Sequence, residues 1–248
     1  MNKILRIFQR NVLCALVLVL SLVSCTSVPP GLDDSSILYS TAKISDDYGS
    51  GSGVVIKKDG DRVFILTNEH VVTDPNLTYK VQFVQSYKTE IPATVVASDP
   101  YYDIALLELT TDIPVLQSKF CSTPAKVLDP VIAVGAGLGL FPYATKGHIS
   151  NPYVELPDWP WPNIHSKFLQ HTAPIMPGHS GGPLYRKEGG KYCLEGLNVR
   201  GGGNISLAVA RKHLEEFMAN IDWVKQTLDQ LESLDKALEK VFPNAKKP

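Results

Sequence analysis

Three short segments carry residues suited to nucleophilic acyl transfer. In Leu66-Thr67-Asn68-Glu69-His70-Val71-Val72 a histidine directly follows an apolar run. In Asp99-Pro100-Tyr101-Tyr102-Asp103-Ile104-Ala105-Leu106-Leu107 an aspartate stands at the mouth of another. In Pro177-Gly178-His179-Ser180-Gly181-Gly182-Pro183-Leu184 a serine lies inside a glycine-rich turn. A serine hydroxyl attacks well only when a base takes its proton. Imidazole, with an ordinary pKa near 6.5, is suited to that task. A buried carboxylate fixes the imidazole tautomer and stabilises the cation that forms. Preorganised N–H donors must then hold the tetrahedral oxyanion. This chemistry assigns Ser180 as nucleophile, His70 as base and Asp103 as orienting acid. Glycines around Ser180 let the backbone aim the N–H groups of Gly178 and Ser180 at the oxyanion. His179 adjoins Ser180, but neighbouring side chains on a tight turn point apart, so His70 is the better base. Asp99 is the weaker rival to Asp103, because only Asp103 directly precedes the strand that would bury it.

Such residues need rigid supports. From Leu38 to Asn198 the chain reads as short strands and turns. Val54–Ile56 and Val63–Leu66 flank Asp59-Gly60, the signature of a hairpin. Further strand candidates are 81–84, 93–97, 104–109, 131–134, 147–150, 168–170, 184–185, 193–199 and 205–210. No solenoid repeat and no alternation of strands with helices intervenes. The pattern predicts a sandwich or barrels. From Leu214 to Phe242 apolar residues recur at three- and four-residue steps, which predicts an amphipathic helix over 211–242.

The N-terminus reads as a targeting segment. Lys3, Arg6 and Arg10 precede an apolar run from Val12 to Val23, too short for a comfortable membrane span and suited to a signal-peptide core. Leu22-Val23-Ser24-Cys25 resembles the lipobox of bacterial lipoproteins, which implies a signal peptide over 1–24 and an acylated Cys25. Two or more acyl chains hold a protein stably on a membrane. Residues 25–37 read as a linker, and at about 3 Å per residue the fold would sit close to the bilayer. Thr26 after the cysteine points to the periplasmic side of an outer membrane. A net charge of −1 argues against a nucleic-acid partner. Cys121 and Cys193 remain in an oxidising compartment, and the sequence leaves open whether they pair. His148, His165, His171 and His213 read as structural. No metal site and no cofactor is expected, since the His-Glu-x-x-His spacing is absent.

The order His, Asp, Ser, with TNEHVV, DIALLEL and GHSGGPL, resembles the trypsin-like superfamily. The closer similarity is to bacterial HtrA-type (DegP-like) proteases. Gly51-Ser52-Gly53-Val54-Val55-Ile56 resembles that family's GSGVII strand, and Gln170 to Leu184 its QTDAAINPGNSGGAL segment. Gly196 to Val199 and Asn204 to Ala210 resemble its GINT and GIGFAIP strands. The similarity runs from about Tyr48 to Ala210. It implies two six-stranded antiparallel β-barrels over 38–210, followed by the helix, and a serine endopeptidase acting on protein or peptide substrates in the cell envelope. It also places Ile205, Ser206 and Leu207 on a strand that pairs with the substrate backbone. Pro174 falls where trypsins that cut after Lys or Arg carry an acid, which implies preference for small or medium apolar side chains. A homotrimer is a further implication of the resemblance. His179 stands where trypsins have Asp and HtrA-type enzymes usually Asn, so trypsin-style zymogen activation is not expected. No PDZ domain is expected after the barrels. The aromatic, proline-rich loop Tyr153–Trp161 either offers contacts to substrate or to another subunit, or folds onto its own barrel. The alternative is a protease-fold lipoprotein, impaired by His179, that serves as a binding scaffold.

Overall fold

The computed structural model describes residues 34–155, 168–202 and 205–221. The signal segment, Cys25, most of the linker, His165, most of the Tyr153–Trp161 loop and the helix beyond 221 lie outside these. Among the described residues no helix is long and apolar enough to cross a membrane. A four-residue helix, Ser36–Tyr39, leads into twelve strands. The first barrel comprises β1 (Thr41–Ser45), β2 (Ser50–Asp59), β3 (Arg62–Thr67), β4 (Thr78–Phe83), β5 (Ile91–Asp99) and β6 (Ile104–Thr110). The second comprises β7 (Pro130–Gly135), β8 (Tyr143–Val154), β9 (Phe168–His171), β10 (Pro183–Glu188), β11 (Lys191–Gly202) and β12 (Ile205–Ala210). Both close, in the orders β1-β2-β3-β6-β5-β4 and β10-β11-β12-β9-β8-β7, with antiparallel pairing throughout. Read from β7, the second order repeats the first strand for strand. Residues 211–221 form a helix, the first part of the predicted tail.

The near-continuous apolar runs have a plain cause. Side chains alternate across a strand. On β2, Val55 enters the first barrel's interior with Ile65, Phe83 and Leu107. Its neighbours Val54 and Ile56 face the other way, into a layer shared with Val134, Tyr185 and Leu197 of the second barrel. On β7, Ala133 packs inside the second barrel while Ile132 and Val134 join the shared layer. Strands buried on both faces lose the alternation that marks a half-exposed sheet. Leu214 and Phe217 of the terminal helix also pack into the shared layer.

Several buried polar side chains in and around this layer are paired. Tyr185 is fully buried, and its hydroxyl lies 2.7 Å from both Ser40 Oγ and Ser118 Oγ. Burial pushes its phenol up to about 12. Arg186 on β10 meets Glu195 of β11 at 2.8 Å and donates to the carbonyl of Thr123 at 2.6 Å. Glu195 also faces Arg211 of the terminal helix at 3.7 Å. The pairing left open in the sequence is a disulfide, Cys121–Cys193, tying the segment between the barrels to β11.

Candidate active site

The catalytic candidates come from turns at the ends of strands on the two barrels. β3 ends at Thr67, and a tight 3-10 turn, Glu69–Val71, then carries His70. Asp103 immediately precedes β6, the neighbour of β3 in the sheet. Its backbone is left-handed, with φ 56°. The Asp103 carboxylate is buried, and Oδ1 accepts from the His70 backbone N–H at 2.9 Å. Nδ1 of His70 lies 2.8 Å from Oδ2 and 3.0 Å from Oδ1. A carboxylate only accepts, so Nδ1 carries the proton and Nε2 is the basic nitrogen. Glu69, next to His70, has its carboxyl pushed up by burial and by the charge of Asp103.

Ser180 sits on the turn between β9 and β10. Ser180 Oγ donates to the carbonyl of Val199 at 3.1 Å. His70 and Ser180 both line one cavity of about 300 Å³. The turn uses two glycines with positive φ, Gly178 at 98° and Gly181 at 78°. A Cβ on Gly178 would stand 2.2 Å from the carbonyl oxygen of Ala136, and one on Gly181 2.1 Å from Thr67 Oγ1. The carbonyl of Pro177 accepts from the Leu138 N–H at 2.8 Å. In a planar trans peptide the carbonyl and the following N–H point in opposite directions. The Gly178 N–H is therefore turned away from Leu138. Among the described residues neither that N–H nor the one on Ser180 donates to a backbone carbonyl. They are the two donors the sequence assigns to the oxyanion.

His179 points the other way from Ser180 and is completely buried. Its Nδ1 lies 3.2 Å from both N and O of Met176. The ring fills the space over Gly137, where a Cβ would come within 2.3 Å of Cε1. Tyr143 meets it edge-on at 5.3 Å. Burial pulls its pKa down.

The expected specificity residues are only partly assembled. Leu207 lines the cavity, together with Phe168, Ile175, Met176, Val199 and Gly201. Pro174 is exposed and outside that lining; its carbonyl accepts from Thr145 Oγ1 at 2.7 Å. Ile205 is exposed and lines a neighbouring depression of about 310 Å³. The assignment of Ser206 and Leu207 to a substrate-pairing edge needs correction, whereas Ile205 pairs with Gly202 alone among the described residues. Ser206 pairs with Gly201 on one side and His171 on the other, and Leu207 with Arg200 and Gln170. A strand paired along both edges has no backbone groups to offer a substrate. Among the described residues, the edge near Ser180 that has a strand on one side only is 199–202 of β11. There β12 lies on one side, and pairing with β10 has ended at Leu197. The signal that could have found it is the two-residue step from Leu197 along β11 past the start of β10.

Comparison with known proteins shows the family and the fold. Residues 51–192 match the model of the trypsin-like peptidase domain. A probable periplasmic DegP-like serine endoprotease of Pseudomonas fulva is 34% identical over 162 residues, covering 64% of this chain and 32% of the relative. The serine protease Do-like HtrB of Bacillus subtilis is 34% identical over 164 residues, covering 64% and 35%. The chain thus spans about a third of the length of the curated relatives it matches. Among solved structures, the Rv3671c protease of M. tuberculosis in its inactive form superposes with a TM-score of 0.63 at 27% identity, over 75% of this chain and 91% of that one. A serine endoprotease from Yersinia pestis, at 23% identity and TM-score 0.61 over 75% of this chain and 64% of that one, shares the fold.

Proposed function

Because the chain belongs to the trypsin-like peptidase domain family, we propose that it is a serine endopeptidase of the HtrA type, with Ser180, His70 and Asp103 as its triad. The observation that carries this reading is the buried Asp103 carboxylate on His70 Nδ1, with both His70 and Ser180 on the wall of one cavity. For attack, Ser180 Oγ exchanges the Val199 carbonyl for Nε2 of His70 by rotation about its own side-chain bond. Such catalytic contacts are commonly looser before substrate binds. His70 takes the hydroxyl proton as the Ser180 Oγ–carbon bond forms, and Asp103 stabilises the imidazolium. The oxyanion receives the N–H groups of Gly178 and Ser180. His70 then returns the proton to the leaving amine, and water repeats the sequence on the acyl-enzyme.

Residues 199–202 supply the edge on which an extended peptide would lie. The cavity beside it, walled by Phe168, Ile175 and Leu207, accepts a small or medium apolar side chain. The N-terminal signals support export and anchoring through Cys25, with substrates drawn from envelope proteins.

The test is covalent labelling of the chain from Thr26 onward with a fluorophosphonate, the adduct located by mass spectrometry. Labelling is expected on Ser180, and is expected to vanish in Ser180→Ala and to slow at least a thousandfold in His70→Ala. No adduct on the parent, with unfolded protein added, would favour the scaffold reading. Profiling of cleaved bonds checks the pocket, and Lys or Arg dominating before the scissile bond would refute its assignment.

A further inference from the structure

One buried side chain touches both halves of the proposed machinery. Asn68 follows β3 and precedes the turn that carries His70. It is completely buried. Its side chain makes no capping bond to that turn. Instead, Nδ2 donates to the backbone carbonyl of Asp103 at 3.0 Å, and Oδ1 accepts from the N–H of Gly181 at 2.6 Å. The amide has one workable orientation. Flipped, it would set oxygen against the Asp103 carbonyl and NH₂ against the Gly181 N–H, two repulsive contacts.

Each contact lands on a special backbone. Asp103 has its φ at 56°, and Gly181 its φ at 78°. Left-handed conformations of this kind persist where surrounding contacts over-determine them. Asp103 receives one such contact on its carbonyl from Asn68, and another on its carboxylate from the His70 N–H. Gly181 directly follows Ser180, and its N–H is shared between Asn68 and the carbonyl of Asn198 at 2.8 Å. Ser52 also holds the nucleophile turn. Its N–H donates to the Ser180 carbonyl at 2.8 Å and its Oγ to the Gly178 carbonyl at 2.6 Å. Those bonds do not reach Asp103.

We propose that Asn68 is a positioning residue for the reaction: one amide sets the backbone of the acid and the backbone after the nucleophile, holding them in register across the seam between the barrels. It acts through Asp103 and Ser180 and touches no substrate. The inference rests on the peptidase reading above. Misplacement of a reacting group by about 1 Å costs on the order of a hundredfold in rate, so loss of this amide falls on kcat and leaves substrate binding largely in place.

The test compares the parent with Asn68→Ala, which loses both arms, and Asn68→Asp, which keeps an acceptor for Gly181 and loses the donor to Asp103. Fluorophosphonate labelling rate, kcat and KM are measured at a temperature where circular dichroism shows each variant folded. Asn68→Ala is expected to lose roughly ten- to a hundredfold in labelling rate and kcat together, with KM within about threefold. Asn68→Asp is expected to lose kcat likewise, and parental kcat in it overturns the arm to Asp103. A folded Asn68→Ala labelled at the parent's rate overturns the whole inference, whatever its thermal stability. If neither variant folds, the Asn68 side-chain amide signals of the parent decide by NMR. Slow exchange and a shift on phosphonylation of Ser180 support the proposal. Rapid exchange and no shift overturn it. A parent not labelled at Ser180 overturns the peptidase reading itself, and this inference with it.

Discussion

Two histidines of the second half of the fold are completely buried, and their effect on stability has a definite sign. His171 on β9 is completely buried, and burial pulls its pKa from 6.5 to about 4. His179 is shifted the same way. In each case the unfolded chain binds a proton more readily than the folded one, so stability rises with pH. The contribution of His171 is complete above about pH 6.5. It declines as pH falls from there toward about 4, by up to about 1.4 kcal/mol per pH unit. Urea midpoints should therefore drop between pH 7 and pH 5, and His171→Leu should flatten that drop. An equally steep drop in the variant would mean that other groups set the acid limit. At this scale the candidate triad was legible because His70 directly follows an apolar run, Asp103 directly precedes one, and Ser180 stands in a glycine-rich turn. The pocket was not. Phe168, Ile175 and Val199 meet only through folding, and nothing in the spacing of Pro174 or Ile205 shows that they miss it.

Among the elements, the turn from Pro177 to Gly182 is tightly constrained. Its carbonyls and N–H groups are held by Leu138, Ser52 and Asn68, from segments distant in sequence. A side chain at Gly178 would collide with the Ala136 carbonyl and demand a backbone that L-residues rarely adopt. Gly178→Ala is expected to turn its N–H out of place and slow Ser180 labelling at least about a hundredfold, the scale of losing one oxyanion donor. Far-UV circular dichroism should stay unchanged, and labelling at the parent's rate would show that Gly178 does not serve the oxyanion. Most strands were visible as apolar runs, and the Asp59-Gly60 hairpin stands where expected, with Gly60 at φ 60°. β1 escaped notice because Thr41–Ser45 directs only Ala42 and Ile44 inward, too few to mark a strand. The disulfide joins residues 72 apart, a separation that carries no pairing signal.

In the molecule as a whole, His70 and Asp103 belong to one barrel and Ser180 to the other, so the layer between the barrels fixes the geometry of the site. Tyr185 is the polar pin of that layer. Ser40 Oγ donates to the carbonyl of Ile37 and so accepts from Tyr185, which leaves Tyr185 to accept from Ser118. Tyr185→Phe strands a donor on Ser118 and an acceptor on Ser40, at a cost of about 1–3 kcal/mol in urea unfolding. Labelling of Ser180 should fail at lower urea than circular dichroism does; coincident transitions would show that the seam is no weaker than the barrels. Apolar periodicity revealed two-sided burial but not how the barrels meet, because the residues of the shared layer come from segments far apart in sequence.

The half-paired stretch of β11 has a consequence for discrimination. A peptide laid along that stretch would pair with it only through N–H and C=O groups of its own that are unspent. A segment already in a helix or in the middle of a sheet has none to give. A surface of this kind is nearly blind to residue identity along most of the segment it receives. On the proposed function, what it would read is whether that stretch has lost its structure, so the same polypeptide would pass untouched when folded and be captured once it unravels.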